Sequence, residues 1–515
     1  MRITHYIYLL AALLAGSGLS ASAQQRPNIV VFMVDDMGWM DTSVPFGEKV
    51  MPLNRRYHTP NMERLASEGM KFTNAYATPV CTPTRVSMLT GMNAAHHGVT
   101  NWTSPWKDTN SDNTDEELLP APWNMNGLSP VEGVAGTVYA TPFPQILKEA
   151  GYMTIHVGKA HWASAGTPGA SPYNLGFVVN IAGHVAGRPQ SYLGEENYGN
   201  MPGQPFNIHA VPDMAEYFGS ETYLTEALTL EALKTLEAPI RQKQPFYLNM
   251  SHYAVHDPYD PDRRYLQKYL DAGLGKTEAI YASMIEGMDK SLGDILDFVE
   301  KRGVAGNTII VFMSDNGGLS LAPPREGEPH TQNLPLKAGK GSVHEGGIRV
   351  PLIVKWPGVV KPATLNENPV IIEDFFPTIL EMANVSAPSP AQKVDGVSFV
   401  PLLKNPLKKA AARALVWHLP NKWTKQDGPG INYKSAIREG DWKLIYNMRH
   451  GQMELYNLRS DIGETTDLAA KHPKRVKDLA TKLGRQLRRW NAPMPAFRST
   501  GKPVPMPDEA LNNVK

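Results

Sequence analysis

Two continuously apolar stretches stand out along the chain, residues 29–34 and 309–314, and both contain several β-branched side chains. Runs of this kind and length predict parallel strands that are buried on both faces of a sheet. Each run ends directly in polar residues, which are Asp35, Asp36, Asp315 and Asn316. Because α/β proteins place their sites at the carboxyl edge of the sheet, we expect these side chains to lie at that edge.

Helical and strand-like segments alternate between these two runs. Residues 223–236 and 279–299 have the apolar spacing of amphipathic helices, and residues 153–157 and 246–249 are short strand-like runs. This alternation predicts an α/β fold with helices covering both faces of the sheet. Residues 100–136 show no clear periodicity, and we predict that they form a long ordered loop.

The composition of the chain shifts in its last fifth. We predict a larger domain over residues 24–405 and a smaller one over residues 406–515. In the smaller domain, short antiparallel strands are predicted at residues 435–438, 442–446 and 453–457. A helix follows, with apolar side chains on one face at Val476, Leu479, Leu483, Leu487 and Trp490. Its Lys and Arg residues lie between these positions, which is typical of a solvated face rather than of a nucleic-acid site.

The overall composition excludes some classes of partner. The 515 residues are 42% hydrophobic and 20% charged, with a formal net charge of +1. Near neutrality argues against bulk electrostatic binding of nucleic acid or of an anionic membrane. Residues 1–23 have the pattern of a secretory signal peptide, and no later run approaches the roughly 20 apolar residues of a membrane span. We therefore expect an exported protein, periplasmic or secreted, without a stable membrane anchor.

The polar residues at the two strand ends offer three carboxylates and one amide oxygen. Hard oxygen ligands of this kind suit Ca²⁺ or Mg²⁺ better than a thiophilic metal. Either pair alone would also fit a turn that caps a strand, because Asp, Asn and Gly favour turns. Two such pairs together favour a divalent-cation site.

The single cysteine of the chain lies in the segment Cys81-Thr82-Pro83-Thr84-Arg85, which is followed by Val-Ser-Met-Leu-Thr-Gly. A lone cysteine cannot form an internal disulfide, and the structural alternative is a small buried hydrophobe. The segment resembles the signature of the type I sulfatase family of the alkaline phosphatase superfamily. This resemblance implies that a formylglycine-generating or sulfatase-maturating enzyme oxidises Cys81 to Cα-formylglycine. The modified residue would then be the nucleophile.

Three further segments resemble the same family in the expected order. Gly158-Lys159-Ala160-His161 matches the family's Gly-Lys-Trp-His except at Ala160, and His256 and Lys340 lie in the two later segments. The resemblance implies that Lys159 and Lys340 neutralise the sulfate oxygens and that His256 contacts and protonates the leaving oxygen. It also implies that His161 accepts a proton from residue 81. Arg85 is expected to hold residue 81 and to offset carboxylate charge.

The resemblance also implies a fold and a set of ligands. The expected fold is alkaline phosphatase-like, with a large mixed sheet flanked by helices in a catalytic domain and a smaller C-terminal domain of antiparallel sheet plus helix. The implied ligands of the cation, commonly Ca²⁺, are Asp35, Asp36, residue 81, Asp315 and Asn316. The expected substrates are sulfated carbohydrates, because exported sulfatases act on them. His184 and His418 lie in segments comparable to substrate-lining family segments and are further candidates for substrate binding.

Two alternatives stay open from the sequence. A phosphonate monoester or phosphodiester hydrolase of the same superfamily can share the Cys-x-Pro-x-Arg motif. A protein that binds sulfated sugars without catalysis is the second alternative, although such a protein should have lost Cys81 or a metal ligand. Trp102, Trp106 and Trp123 in the long loop are candidates for stacking on a sugar ring or for ordinary packing.

Overall fold

The computed structural model describes residues 26–47, 49–205, 207–320, 333–386 and 388–513. The predicted signal peptide lies outside the described residues. The strands are β1 (Asn28–Val34), β2 (Met70–Phe72), β3 (Ala75–Tyr76), β4 (Leu118–Leu119), β5 (Gly127–Ser129), β6 (Thr137–Tyr139), β7 (Met153–Gly158), β8 (Val179–Ile181), β9 (Phe246–Ser251), β10 (Thr308–Ser314), β11 (Leu352–Lys355), β12 (Thr364–Asn366), β13 (Val370–Ile371), β14 (Ala414–Leu419), β15 (Lys434–Glu439), β16 (Trp442–Asn447), β17 (Met453–Asn457) and β18 (Ala496–Phe497).

The α-helices are α1 (Pro60–Glu68), α2 (Cys81–Thr90), α3 (Ala94–His97), α4 (Phe143–Glu149), α5 (Leu224–Gln242), α6 (Arg263–Asp271), α7 (Lys276–Lys301), α8 (Glu345–Ile348), α9 (Phe375–Met382), α10 (Val400–Lys404), α11 (Pro473–Arg489) and α12 (Pro507–Asn513). Short 3₁₀ helices lie at Pro52–Arg55, Pro168–Ala170, Pro172–Leu175, Gly194–Gly199, Ala215–Tyr217, Ala305–Asn307, Ile372–Asp374 and Ala469–Lys471. In the described ranges, none of these helices has both the length and the apolar character needed to cross a membrane.

Eight strands form a central sheet in the order β12-β2-β11-β10-β1-β9-β7-β8. The five strands from β10 to β8 run parallel to their neighbours. β11 is antiparallel to both β10 and β2, which makes the sheet mixed. The parallel strands predicted at residues 29–34 and 309–314 are confirmed as β1 and β10. They are direct neighbours, with Val34 beside Ser314.

The apolar pattern of β1 explains why it lies at the centre of the sheet. All seven of its side chains are buried, because successive residues point to opposite faces and both faces are covered. Ile29, Val31 and Met33 belong to one core, which α2 and α9 cover. The residues between them belong to a second core under α5 and α7, which correspond to the two predicted amphipathic helices. The predicted α/β fold is therefore confirmed.

A second, antiparallel sheet near the C-terminus has the order β14-β15-β16-β17. Its last three strands and α11 were predicted from the sequence, whereas β14 was not. Leu479, Leu483 and Leu487 of α11 pack on one face of this sheet. Its other face contributes Trp417 to a core of the central sheet, and the Trp417 indole donates a hydrogen bond to Ala77 O at 2.9 Å. The predicted long loop is interrupted by β4 and β5.

Glu373 is a buried carboxyl that makes stability depend on pH. Its Oε1 accepts a hydrogen bond from Asn93 Nδ2 at 2.8 Å. Burial, and then the charge of Asp374, raises the pKa of Glu373 from 4.5 to about 8. Because the folded pKa lies above the unfolded one, the stability contributed by the protonated form is complete below pH 4.5 and is lost as the pH rises through about 8.

We expect Glu373→Gln to raise the free energy of unfolding by about 1–3 kcal/mol at pH 8, because the amide cannot ionise and still accepts the bond from Asn93. Below pH 4.5 the gain should vanish. Denaturant unfolding at both pH values checks this result. Glu116→Gln, at an exposed position, is the control. An equal gain from Glu373→Gln at both pH values would refute the assigned titration.

Candidate active site

Four polar side chains meet where β1 and β10 end. Because the two strands pair in register, the residues that follow them leave the sheet side by side. Asp36 N donates to Asp315 Oδ1 at 3.2 Å, and Asn316 Nδ2 donates to Asp36 Oδ1 at 2.8 Å. These residues and Asp35 are almost completely buried. The structure thus brings together the oxygen ligands that the sequence placed at one sheet edge.

Two oxygen atoms of this group fit a cation. Asp35 Oδ1 and Asn316 Oδ1 are buried, and neither has a hydrogen-bond partner among the described residues. Buried polar atoms almost always have a hydrogen-bond partner. Two buried oxygens without one therefore call for an explanation such as a bound ion. Possible ligand atoms of Asp35, Asp36 and His256 lie within 4.8 Å of one another. Carboxylate and amide oxygens suit Ca²⁺ or Mg²⁺.

Arg85 ties the start of α2 to the sheet edge. The helix begins at Cys81, which places Arg85 one turn further along. Its guanidinium donates to Asp315 Oδ2 from Nε at 3.0 Å and from Nη2 at 2.8 Å. Nη1 donates to Ser251 Oγ at 2.6 Å and to Lys159 O at 3.0 Å. Arg85 therefore holds three segments of the site in a fixed arrangement.

Two lysines complete the charge balance. Lys159 Nζ pairs with Asp35 Oδ2, and Lys340 Nζ lies 2.7 Å from Asp36 Oδ1. Burial raises the pKa of Asp36, but the opposing charges of Lys340 and His256 outweigh it and lower that pKa to about 2. Together with Arg85, the lysines match the three carboxylates in number. A divalent cation would leave the site positive and suited to an anion.

Cys81 and His161 face each other at the floor of a cavity. Cys81 is only 3% exposed, and its Sγ lies 3.5 Å from His161 Nδ1. His161 Nε2 lies 2.9 Å from Thr103 O, so we assign the ring proton to Nε2. Burial, and then Lys159, lowers the pKa of His161 well below its usual value. A neutral ring then presents the Nδ1 lone pair to residue 81, and Thr82 Oγ1 lies 3.3 Å from the same nitrogen.

His256 has the opposite electrostatic surroundings. Its Nδ1 lies 2.9 Å from Asp257 Oδ1, and its Nε2 lies 3.7 Å from Asp36 Oδ2. Burial and Lys340 lower the pKa of His256, but the nearby carboxylates, Asp36 first, outweigh them and raise it to about 9. The surroundings therefore shift the pKa values of the two imidazoles in opposite directions, which is the division expected of an acid and a base.

The cavity above these groups has a volume of about 410 Å³. Among the predicted site residues, those that line it are Cys81, His161, His256 and Lys340. Trp102 and Trp106 also line it, whereas Trp123 is buried and donates a hydrogen bond to Asn110 Oδ1 at 3.2 Å. The remaining lining residues are Val80, Ser104, Pro105, Gly187, Arg188, Ile208, His209, Asp257, Leu319 and Trp423.

Three predicted substrate-binding residues do not line this cavity, which are Lys159, His184 and His418. The Lys159 side chain is fully buried, and its Nζ pairs with Asp35 Oδ2. His418 lies in β14, where its Nδ1 is 2.7 Å from Ser435 Oγ and its Nε2 is 2.7 Å from Pro493 O. Side chains alternate along a strand, so His418 points to the face opposite Trp417 and away from the central sheet. His184 contributes its backbone oxygen, which accepts a hydrogen bond from His161 N at 3.1 Å. The structure thus places neither of these two histidine side chains in the lining of this cavity.

Several residues that line the cavity were not predicted from the sequence. Asp257 follows His256 directly, and this adjacency was the one signal that could have identified it. Arg188 and His209 lie in irregular segments without a motif. Trp423 lies against Gly341, which has a φ of +81° and no room for a Cβ atom beside the indole ring. Only glycine meets both conditions, so Gly341 allows Trp423 to lie beside the Lys340 loop.

Residues 27–385 match the family model described as sulfatase, which covers more than half of the chain. The chain belongs to the sulfatase family. Residues 339–492 also match the model described as the C-terminal region of N-sulphoglucosamine sulphohydrolase. As a member of this family, the protein is a sulfuric ester hydrolase, and the predicted family resemblance is confirmed.

Comparisons along the whole length support this assignment. The sulfatase is 31% identical to a sulfatase of Formosa agariphila, over 98% of this chain and 97% of that protein. It is also 31% identical to N-acetylgalactosamine-6-sulfatase of Homo sapiens, over 75% of this chain and 67% of that protein. The solved structure of Ps i-CgsB in complex with k-i-k-neocarrahexaose is 25% identical, with a TM-score of 0.66, and the match covers 90% of this chain and 93% of that one.

Proposed function

We propose that this sulfatase hydrolyses sulfate monoesters of carbohydrates, with Cα-formylglycine at position 81 as the nucleophile and a divalent cation at the ends of β1 and β10. The observation that carries the proposal is that Cys81 lines the cavity together with Lys340 and with His161, whose Nδ1 lies 3.5 Å from Cys81 Sγ. Ca²⁺ is the proposed cation, and Mg²⁺ has the same preference for oxygen ligands.

The cation would be held by Asp35, Asp36, Asp315, Asn316 and residue 81. When bound, it supplies positive charge that favours a deprotonated hydroxyl on the hydrate at position 81 and offsets charge on the sulfate oxygens. Lys159 and Lys340 extend this positive surface from the protein side. Preorganised charges of this kind act most strongly where charge develops in the transition state. Arg85 keeps Asp315 in place and orients the start of α2.

Two imidazoles move protons on opposite sides of the reaction. We assign His256, whose pKa the nearby carboxylates raise, the role of donating a proton to the sugar oxygen as the ester bond breaks. His161 Nδ1 faces residue 81 and is placed to accept the proton of its second hydroxyl group, so that sulfate is released. A serine at this position could attack sulfur but could not release sulfate by this route.

Sugars are the proposed substrates for two reasons. The human relative is named for an N-acetylgalactosamine sulfate, and the solved relative is in complex with a neocarrahexaose. In addition, Trp102, Trp106 and Trp423 line the cavity and offer flat apolar surfaces of the kind that pack against sugar rings.

We also propose that the protein is exported and matured by a formylglycine-generating or sulfatase-maturating enzyme. The leader-like pattern of residues 1–23 supports export. The proposed division into residues 24–405 and 406–515 places the whole catalytic set in the larger part. N-terminal sequencing of secreted protein checks the cleavage expected after residue 23.

The role of His256 predicts a dependence on the leaving group. We expect His256→Ala to lower kcat/KM about 10²–10⁴-fold for sugar sulfates, whose alkoxide leaves poorly without a proton. For 4-nitrophenyl sulfate, whose phenolate leaves readily, the loss should be smaller by at least about tenfold. Steady-state sulfate release measures both losses, with the exposed His450→Ala as control. Equal losses of kcat/KM on the two substrates would contradict the role of His256 as the proton donor to the leaving oxygen.

One comparison tests the proposed function against its rival in the same superfamily. Matured protein is supplied with a panel of sulfated sugars and with phosphonate monoesters and phosphodiesters of the same alcohols. We expect kcat/KM to be higher for the sulfate esters. Higher turnover of the phosphorus esters would favour the phosphonate hydrolase. Sugar binding without sulfate release by fully matured protein would favour a non-catalytic binding protein.

A further inference from the structure

The cavity has a second cationic group away from the residues assigned to the reacting sulfate. Cys81, Lys340 and His161 line it with almost completely buried side chains, and Arg188 and His209 are further lining residues. Arg188 has no part in the hydrolysis proposed above. Its side chain is 38% exposed, which leaves its guanidinium accessible to a ligand.

The backbone that carries Arg188 is fixed against the reacting groups. His161 N donates a hydrogen bond to His184 O at 3.1 Å, three residues before Gly187. A Cβ atom at Gly187 would lie 2.5 Å from His161 Cε1, so this segment passes directly over the imidazole. Beyond Arg188, Gln190 N donates to His209 O at 2.8 Å and joins the two segments. Arg188 therefore extends from a rigid support.

The guanidinium of Arg188 is free to bind an incoming anion. Its ion contact within the described ranges is to Asp257 Oδ2 at 3.9 Å, which is too long for a hydrogen bond. The other oxygen of that carboxylate is engaged by His256 Nδ1 at 2.9 Å. His209 adds a buried Nδ1 atom that has no hydrogen-bond partner among the described residues.

These contacts indicate which part of a substrate would lie next to Arg188. Asp257 lies between Arg188 and His256, and His256 is the proposed donor to the leaving oxygen. Arg188 therefore lies near the proposed proton donor to the leaving group, with one carboxylate between them. An anion bound there belongs to the sugar and is not the sulfate that is cleaved. Trp102 and Trp106, which is 54% exposed, provide apolar walls of the same cavity.

We propose that Arg188, assisted by His209, forms a subsite for a second anionic group, a carboxylate or a sulfate, carried by the sugar whose ester is hydrolysed. This inference rests on the proposed function for the identity of the reacting sulfate. It assigns the enzyme a preference for substrates with two anionic groups over substrates with one. An arginine fork suits both groups, because each offers two oxygens for paired hydrogen bonds.

Matched substrate pairs test this subsite by kinetics. One pair is a sulfated disaccharide that contains a hexuronic acid and its carboxyl-reduced form; the other is a disulfated monosaccharide and its monosulfated form. We expect Arg188→Gln to lower kcat/KM about tenfold more for the doubly anionic member, chiefly through KM. Arg188→Lys should retain part of the preference. The exposed Arg459→Gln, which is 84% solvent-accessible, is the control and should change neither member.

The two pairs distinguish the two anions. If Arg188→Gln loses the preference for the doubly anionic member only in the hexuronic acid pair, the subsite binds a carboxylate. If it loses that preference only in the disulfated pair, the subsite binds a sulfate. Equal losses on both members of each pair would overturn the inference, because Arg188 would then act on the chemistry through Asp257. No loss on any substrate would overturn it as well.

A binding measurement separates failure of the subsite from failure of the proposed function. Calorimetry with the sulfate-free hexuronic acid disaccharide, on protein carrying Cys81→Ala, needs no turnover. We expect Arg188→Gln to weaken this binding about tenfold. Unchanged affinity for both this disaccharide and the disulfated monosaccharide would overturn the subsite, whereas absence of sulfate release from every substrate would contradict the proposed hydrolysis alone.

Discussion

Replacing Cys81 by alanine should lower the rate of sulfate release at least about a thousandfold, because it removes the atom from which the nucleophile is made. The side chain lies on the cavity floor, 3.5 Å from His161 Nδ1. No other thiol in the chain can take its place. Ion chromatography of sulfate released from a sulfated sugar measures the effect on protein co-expressed with a maturation enzyme.

The fold should tolerate this change. Cys81 is the first residue of α2, and the four hydrogen bonds that Arg85 donates one turn later do not involve its sulfur. We expect thermal unfolding of Cys81→Ala to stay close to that of the parent protein. Met88→Leu, a conservative change in the core of the same helix, should remain active. Substantial turnover by Cys81→Ala would show that another group attacks sulfur.

Removal of the cation should abolish sulfate release, and Ca²⁺ should restore it. We expect this because Asp35 Oδ1 and Asn316 Oδ1 are buried without partners among the described residues, and because hydrogen bonds from Asp36 N and Asn316 Nδ2 position the carboxylates of Asp315 and Asp36. Treatment with EGTA followed by dialysis tests the loss, and addition of Ca²⁺ or Mg²⁺ tests the recovery.

Asp35→Asn should weaken Ca²⁺ binding at least about tenfold, because the site loses one of its three carboxylates while keeping its shape. Calorimetric titration of the two apoproteins with Ca²⁺ measures the difference. Asp297→Asn is the matched control, since that carboxyl is 70% exposed and pairs with Arg64 at the surface. Activity that survives EGTA treatment would show that catalysis does not need the cation. Unchanged Ca²⁺ affinity in Asp35→Asn would show that the cation binds elsewhere.

The sheet and the chemistry at its edge could be predicted because their signals are local in the sequence. Each apolar run and the acids that follow it are contiguous, so the strand and its polar end are read together. The pairing partners of β1 are not local. Nothing in the run at residues 29–34 indicates that β9 lies on one side and β10 on the other, and the antiparallel β11 shows no distinctive pattern.

The substrate side of the cavity could not be predicted, because its residues are also not local in the sequence. Arg188, His209 and Trp423 come from three separate irregular segments, and they meet only because tertiary contacts bring those segments together. His418 was a candidate because its segment is comparable to family segments that line the substrate. The structure places it on the face of β14 opposite Trp417, since side chains alternate along a strand.

The most direct test of the account is the mass of the tryptic peptide that spans residues 72–85, taken from protein co-expressed with a formylglycine-generating enzyme. The account predicts a mass that corresponds to an aldehyde in place of the thiol of Cys81, in protein that releases sulfate. An intact thiol in protein that still releases sulfate would contradict the central claim, because the nucleophile would then be something other than formylglycine.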